Sequence, residues 1–326
     1  MPATGRIAGI ITTAELRAAG WSDRQISAAV QRGNLHSLSR GIYADGAAAR
    51  ERLTWRGGDQ LLAIAAAMAV AGPGVVVSHQ SAAYLHSIDL LGASRPVDLT
   101  GRPERGWTIR AGVKLHAMTL PASRITTFLR LPVTTPARTI VDLARTVEFR
   151  AGVVAADSAL RKRLTTKQEL RAVLAECSRW PGITRARAVV EFADERAESP
   201  LESIGRVAFR DCGLPPPELQ VWLGGISEPV GRVDFYWKQY RTIAETDGAA
   251  KYRNDPRRVP EQLRRDQLLR NDGYELVHIT WQQITETPQA VAVAIRDAFR
   301  RGQRNWELAR PAPSPQRAAV PRAHAS

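Results

Sequence analysis

The side chains best equipped for chemistry in this 326-residue chain lie between positions 233 and 251. Val233-Asp234-Phe235-Tyr236-Trp237 reads as a strand, Lys238 to Arg241 as a turn, and Thr242 to Thr246 as a second strand. A hairpin centred between Gln239 and Tyr240 sets Asp234 opposite Glu245, with Cβ atoms about 4.5–5.5 Å apart. Asp247 stands two residues beyond Glu245 and shares its face. Three carboxylates on one face repel one another, and a divalent cation would relieve that repulsion. Mg²⁺ takes oxygen ligands, usually one or two carboxylates with waters and phosphates. Lys251 follows four residues after Asp247 and can reach the same edge. Metal, carboxylates and a lysine that orients water or steadies phosphate charge form a minimal kit for phosphodiester hydrolysis.

The elements that must position this kit span 195–302. Ser199-Pro200-Leu201-Glu202 opens a helix, and Ser199 with Glu202 has the spacing of a capping box. Glu202 is thus either a cap or a fourth catalytic carboxylate. Cys212 to Pro217 ends the helix. Strands follow at Val221 to Leu223, Val230 to Trp237 and Thr242 to Thr246. A charged helix over Pro260 to Asp272 leads into a last strand, Tyr274 to Ile279. From Arg310 the Pro-, Ala- and Arg-rich composition predicts a disordered tail over 310–326.

Residues 1–50 predict a different activity. A short helix opens at Thr13-Ala14-Glu15-Leu16 and ends at Gly20. Ser22-Asp23-Arg24-Gln25 is a second capping box. A basic pair of short alternating stretches around Arg40-Gly41 follows. Helix, tight turn, helix and hairpin predict a winged helix-turn-helix module. The outer face of its second helix would carry Arg24, Gln25 and Gln31, of the types that pair with guanine and adenine edges. Arg40 on the wing suits a phosphate.

Residues 51–190 predict an α/β domain with no catalytic constellation. An Ala-rich helix runs over Gln60 to Val70, Val75-Val76-Val77 is a strand, and Ser78 is expected to N-cap the helix through His79 and His86. These histidines stand seven apart on one helical face with no third ligand at metal spacing, so both are read as packing or surface residues. Thr135-Pro136 starts another helix.

Composition narrows the function classes. With 46 Lys+Arg against 32 Asp+Glu the net charge is +14, which favours polyanions and double-stranded DNA above all. No apolar run reaches 18 residues, which argues against a membrane span. Two cysteines are too few for a disulfide framework or a Cys-rich zinc site. With no charged-then-apolar leader at the N-terminus, a cytoplasmic location is expected.

Two resemblances follow from these residues. Glu202, Val233-Asp234-Phe235, Glu245-Thr246-Asp247-Gly248, Lys251-Tyr252, Glu261-Gln262-Leu263-Arg264 and Gly273-Tyr274-Glu275-Leu276-Val277 with Trp281 resemble the PD-(D/E)xK restriction-endonuclease-like superfamily, in particular very-short-patch-repair-type domains. This implies a Mg²⁺-dependent DNA nuclease core, with Asp234 and Glu245 on the metal, Asp247 and Lys251 beside it and Glu202 on the first helix. The lysine usual two positions after the second acid is Asp247 here. Relatives often carry histidine at the position of Lys251 and arginine at that of His278. Residues 8–45, Val77 to Ala83 and Thr134 to Ala144 resemble AbiEi-type antitoxins of type IV toxin–antitoxin systems, which bind their own promoter through a winged helix.

The expectation is a multidomain α+β and α/β protein: a winged helix-turn-helix over 1–50, an AbiEi-like α/β domain over 51–190 and a restriction-endonuclease-like domain over 195–302. It would hydrolyse DNA with Mg²⁺ in defence or repair. The alternative is a non-catalytic autorepressor or antitoxin with a cognate toxin as partner.

Overall fold

The computed structural model describes residues 9–53, 58–71, 74–92, 96–102, 112–224, 229–247 and 258–309. Lys251 and the tail from 310 fall outside them. The described architecture is mixed α and β, with three separate sheets. The chain divides into two compact units, Met1–Ser203 and Ile204–Ser326.

The first unit opens with β1 (Ile10–Thr12), α1 (Thr13–Ala18), α2 (Asp23–Gln31), β2 (Leu35–Ser39), β3 (Ile42–Asp45) and α3 (Gly46–Leu53). The strands form an antiparallel sheet in the order β1-β3-β2. Helix α1 starts at a capping box of Thr12 with Glu15, and α2 at one of Ser22 with Gln25. Gly20, at φ +85°, makes the left-handed turn between them. Ile11, Leu16, Ile26, Ala29 and Leu35 close the core of this module.

Helix α4 (Gly58–Ala71) explains its own composition. Leu62, Ala65 and Ala66 pack with Ile10, Ile42 and Ala44 of the three-stranded sheet. Leu61, Ile64 and Met68 enter a second core with Val75, Val77, Leu99 and Val133. A helix buried on two sides must be apolar nearly all round, and alanines let both sheets approach it.

The second core lines a five-stranded mixed sheet in the order β6-β5-β4-β8-β7. Its strands are β4 (Val75–Val77), β5 (Val97–Gly101), β6 (Val113–His116), β7 (Ile125–Phe128) and β8 (Leu131–Thr134). The hairpin of β7 with β8 had no clear sequence signal. Its turn uses Leu129 and Arg130 at positive φ, positions that glycine or asparagine would normally advertise. Helices α5 (His79–Leu85), α6 (Pro136–Thr146), α7 (Phe149–Arg161), α8 (Lys167–Glu176) and α9 (Ile183–Phe192) complete this part. Ser78 precedes α5 but makes no side-chain cap, contrary to the sequence expectation. Its hydroxyl is used by Thr100 and His79 instead.

Helix α10 (Pro200–Asp211) leads into the second unit. There β9 (Glu218–Gly224), β10 (Pro229–Trp237), β11 (Thr242–Asp247) and β12 (Glu275–Thr280) form one sheet in the order β12-β11-β10-β9. Strands β9 to β11 run antiparallel in sequence, and β12 adds parallel to β11 through helix α11 (Arg258–Asn271). Two further helices, α12 (Trp281–Glu286) and α13 (Pro288–Ala309), end the described chain. Phe209, Phe235, Trp237 and Phe299 meet edge to face beneath the sheet.

Candidate functional site

The hairpin register is the one the sequence predicts. Phe235 pairs with Ala244, Tyr236 with Ile243 and Trp237 with Thr242. A short 3₁₀ turn over Lys238–Tyr240 and Arg241 at φ +44° reverse the chain. Asp234, Glu245 and Asp247 therefore lie on adjacent central strands. Their charges, however, are already answered by the protein.

Asp234 Oδ2 accepts from the Thr246 backbone N at 2.8 Å and from Thr246 Oγ1 at 2.6 Å. Gln220 Nε2 stands 3.4 Å from Oδ1. Glu245, buried on β11, accepts from Arg265 Nη2 at 2.9 Å. Arg265 comes from α11 and also donates to the Arg232 carbonyl at 2.5 Å. Asp247 faces His278 of β12, with Oδ2 3.2 Å from Nδ1. The other ring nitrogen, Nε2, bonds buried Asp266 at 2.7 Å. The expectation of unrelieved repulsion is corrected: Arg265 and an imidazolium stand where a cation would otherwise be needed. Neutralising Asp234 would weaken its bonds to Thr246 rather than relieve strain.

The same partners bear on the metal expectation. Oxygen donors suit Mg²⁺, but the carboxylate oxygens are drawn to Thr246, Arg265 and His278. Among the described residues, Asp234, Glu245 and Asp247 do not form a three-ligand cluster with donor atoms within 4.8 Å of one another. As folded, the arrangement does not fit a preformed Mg²⁺ cage. Glu202 sits in the first turn of α10, where it accepts from Ser199 Oγ at 2.9 Å and the Glu198 backbone N at 2.8 Å. Glu202 N in turn donates to Ser199 Oγ at 3.1 Å, so Glu202 is engaged in capping the start of the helix.

Arg265, Asp266 and His278 were not among the site residues predicted from sequence. The spacing of Arg265 with Asp266 on a helix carries no period pointing to β11. His278 was visible only as a departure from the resembled pattern. Between two carboxylates it is held protonated: Asp247 beside Nδ1 raises its pKa to about 9, Asp266 adds to the rise, and burial opposes both.

That shift sets a pH dependence. The folded value lies above the ordinary 6.5, so protonation stabilises the fold. The contribution is complete below about pH 6.5 and fades as pH rises through 9. After allowance for solvent screening at the partly exposed ring it amounts to about 2 kcal/mol. The stability gap between wild type and His278→Gln should therefore close between pH 6.5 and 9.5 in denaturant titrations. A gap unchanged at pH 9.5 would rule the charge out as its source.

In the N-terminal module, Arg24 and Gln31 are exposed on α2. Gln25 is placed differently from the sequence expectation. Its Oε1 accepts from Ser22 N at 2.8 Å and from Ser22 Oγ at 2.9 Å. A bidentate contact to adenine would dismantle the helix cap, so Gln25 reads as structure. Ser27 is also exposed on α2 and was overlooked. Arg40 stands at the turn after β2 and, with Arg17, Asp23 and Ser27, lines a cleft of about 490 Å³ between α2 and the hairpin. His86 Nε2 donates to the Thr134 carbonyl at 2.8 Å, and burial lowers its pKa. His79 instead packs against His116. Burial, followed by the neighbouring His116, lowers its pKa to about 3.

Comparison with known proteins places a name on one part of the chain. Residues 5–44 match the model of a family described as a transcriptional regulator, AbiEi antitoxin. Those residues include the helix pair and most of the hairpin. The chain is also 33% identical over 162 residues to uncharacterized proteins of two Mycobacterium tuberculosis strains, CDC 1551 / Oshkosh and ATCC 25618 / H37Rv. Each alignment covers 50% of this chain and 59% of the relative. No helix among the described residues is long and apolar enough to cross a membrane.

Proposed function

We propose that this protein is a DNA-binding transcriptional regulator of the AbiEi antitoxin type. Its N-terminal module would act as a winged helix, with a cognate toxin as a further partner. The observation that carries this reading is the coincidence of the family match over 5–44 with a helix–turn–helix and hairpin. Arg24, Ser27 and Gln31 are exposed on the second helix. Arg24 reads a base edge, Arg40 holds phosphate, and the net charge of +14 supplies attraction to the duplex.

The test is binding of the full chain to duplex DNA from upstream of its own coding sequence, across a salt series. Arg24→Ala is expected to cost about 1–3 kcal/mol on the cognate site and little elsewhere. Arg40→Ala should weaken all sequences alike and flatten the salt slope by about one. An unchanged affinity for the cognate site after Arg24→Ala, or an equal loss on cognate and unrelated DNA, would overturn base readout by α2.

A second reading is supported by the acids on β10 and β11 in a mixed four-stranded sheet. It makes the C-terminal unit a restriction-endonuclease-like domain that cuts DNA with Mg²⁺ through Asp234, Glu245, Asp247 and Lys251, the ion displacing Arg265 from Glu245 and His278 from Asp247. Plasmid nicking with Mg²⁺, absent in Asp234→Ala, would establish it. Mg²⁺-independent or absent nicking leaves the regulator reading alone.

A further inference from the structure

We propose that His79, Asp98 and His116 form a binding site for a single Zn²⁺-like divalent cation in the first unit. Their candidate ligand atoms all lie within 4.8 Å of one another, and no other group of three or more such residues does so among the described residues. They are far apart in sequence: His79 begins α5, Asp98 is on β5 and His116 is on β6. The tertiary fold alone brings them together. Neither the DNA-binding module nor the carboxylates of the second unit take part, so the inference stands apart from both functional readings.

The donor set is two imidazoles and one carboxylate. With a water in the fourth position this is a common open Zn²⁺ arrangement. Bonds of about 2.0–2.2 Å in a tetrahedron set neighbouring ligand atoms about 3.3 Å apart. His116 Nε2 and Asp98 Oδ1 are 2.9 Å apart, close to such an edge.

The surroundings hold the ligands as outer partners of a metal do. Ser78 Oγ lies 3.0 Å from His79 Nδ1, which directs Nε2 to the ion. Thr100 Oγ1 donates to the same Ser78 oxygen at 2.7 Å. The Asp98 backbone is fixed on both sides, its N donating to Ser81 Oγ and its carbonyl accepting from Ser78 N. These hydroxyls are fully buried. His79 is also held at φ +47°, a costly conformation for a residue with a branched ring at Cγ.

Two features set the terms of binding. The rings of His79 and His116 are stacked, 3.6 Å between centroids at 13°. Imidazoles that share an ion splay, so loading must turn one ring. His116, with 15% of its side chain exposed against 3% for His79 as a residue, is the one free to turn. The nearby positive charges are Lys114, which is exposed, and Arg145, which is held by Asp142 and the Pro181 carbonyl.

The full chain, stripped with EDTA and dialysed against micromolar Zn²⁺, is expected to retain one equivalent. Co²⁺ in its place should give the visible bands of a four-coordinate site. Asp98→Asn and His116→Gln should abolish both, whereas His86→Gln and Asp234→Asn should retain them. Should a variant fail to fold, Zn²⁺ protection of His79 and His116 from diethyl pyrocarbonate in the wild type, mapped by peptide mass, reads the same site. Absence of retained Zn²⁺ in the wild type overturns the proposal. So does binding that survives both ligand substitutions in folded protein, or binding that leaves both histidines unprotected.

Discussion

Asp142→Ala should cost the first unit about 3–5 kcal/mol, because it removes the carboxylate that pairs with two buried arginines. Asp142 is fully buried in α6 and accepts from Arg138 Nε at 2.7 Å and Arg145 Nη1 at 3.2 Å. Both guanidinium groups also lie over the Trp180 ring, at 4.5 and 4.8 Å from its centroid. Without the carboxylate, two positive charges share an aromatic face and an apolar surrounding. Amide exchange in α6, which reports on this unit separately from the other, should accelerate accordingly. Replacing Arg138 and Asp142 together by Met and Leu should recover much of the loss, since an absent pair is cheaper than a broken one. Exchange in Asp142→Ala within a few-fold of wild type would contradict the role given to this cluster.

Arg265→Ala is expected to cost the second unit about 2–3 kcal/mol, the upper range being tempered by the solvent access of the arginine. Glu245 is 8% exposed at its side chain and Arg265 is 24% exposed. Loss of the guanidinium removes the Arg265 bonds to the Glu245 carboxylate and to the Arg232 carbonyl. Glu245→Gln in the same background should lose little more, so the two changes should be less than additive in denaturant unfolding. Millimolar Mg²⁺ distinguishes the two views of this cluster. If the carboxylates accept a cation once Arg265 is gone, Mg²⁺ stabilises Arg265→Ala more than wild type by linkage. Equal and negligible effects on both proteins would mean that the acids serve the fold alone. Full additivity of the two substitutions would contradict the ion pair itself.

Much of the backbone was legible because it is written in local terms. Ser22 with Gln25 and Ser199 with Glu202 stand three residues apart; the first pair forms the capping box that this spacing implies, and in the second Ser199 Oγ caps the Glu202 N–H while the carboxylate takes Glu198 N. The hairpin from Val233 to Thr246 takes the predicted register because β-strand side chains alternate strictly and one face must be buried. The helix over the Ala-rich segment was equally plain. That it is buried on two sides was not, because periodicity records which positions are apolar and not what covers them.

The amino-acid sequence by itself determined the capped start of α2, the hairpin and the presence of Asp234, Glu245 and Asp247 on one pair of strands. Each depends on bonds or faces only a few residues apart. Only the tertiary structure decided what those groups meet. Arg265 reaches Glu245 from a helix 20 residues on, and His278 reaches Asp247 from a parallel strand. Their charges turn a repelling cluster into a compensated one. In the same way Ser78, placed by sequence as a cap, gives its hydroxyl to Thr100 and His79. His79 and His86, on one helical face in the sequence, end beside His116 and the Thr134 carbonyl respectively. The physical reason is common to all of these. Burial forces every polar group to find a partner, and the nearest partner in a folded core is set by packing rather than by distance along the chain.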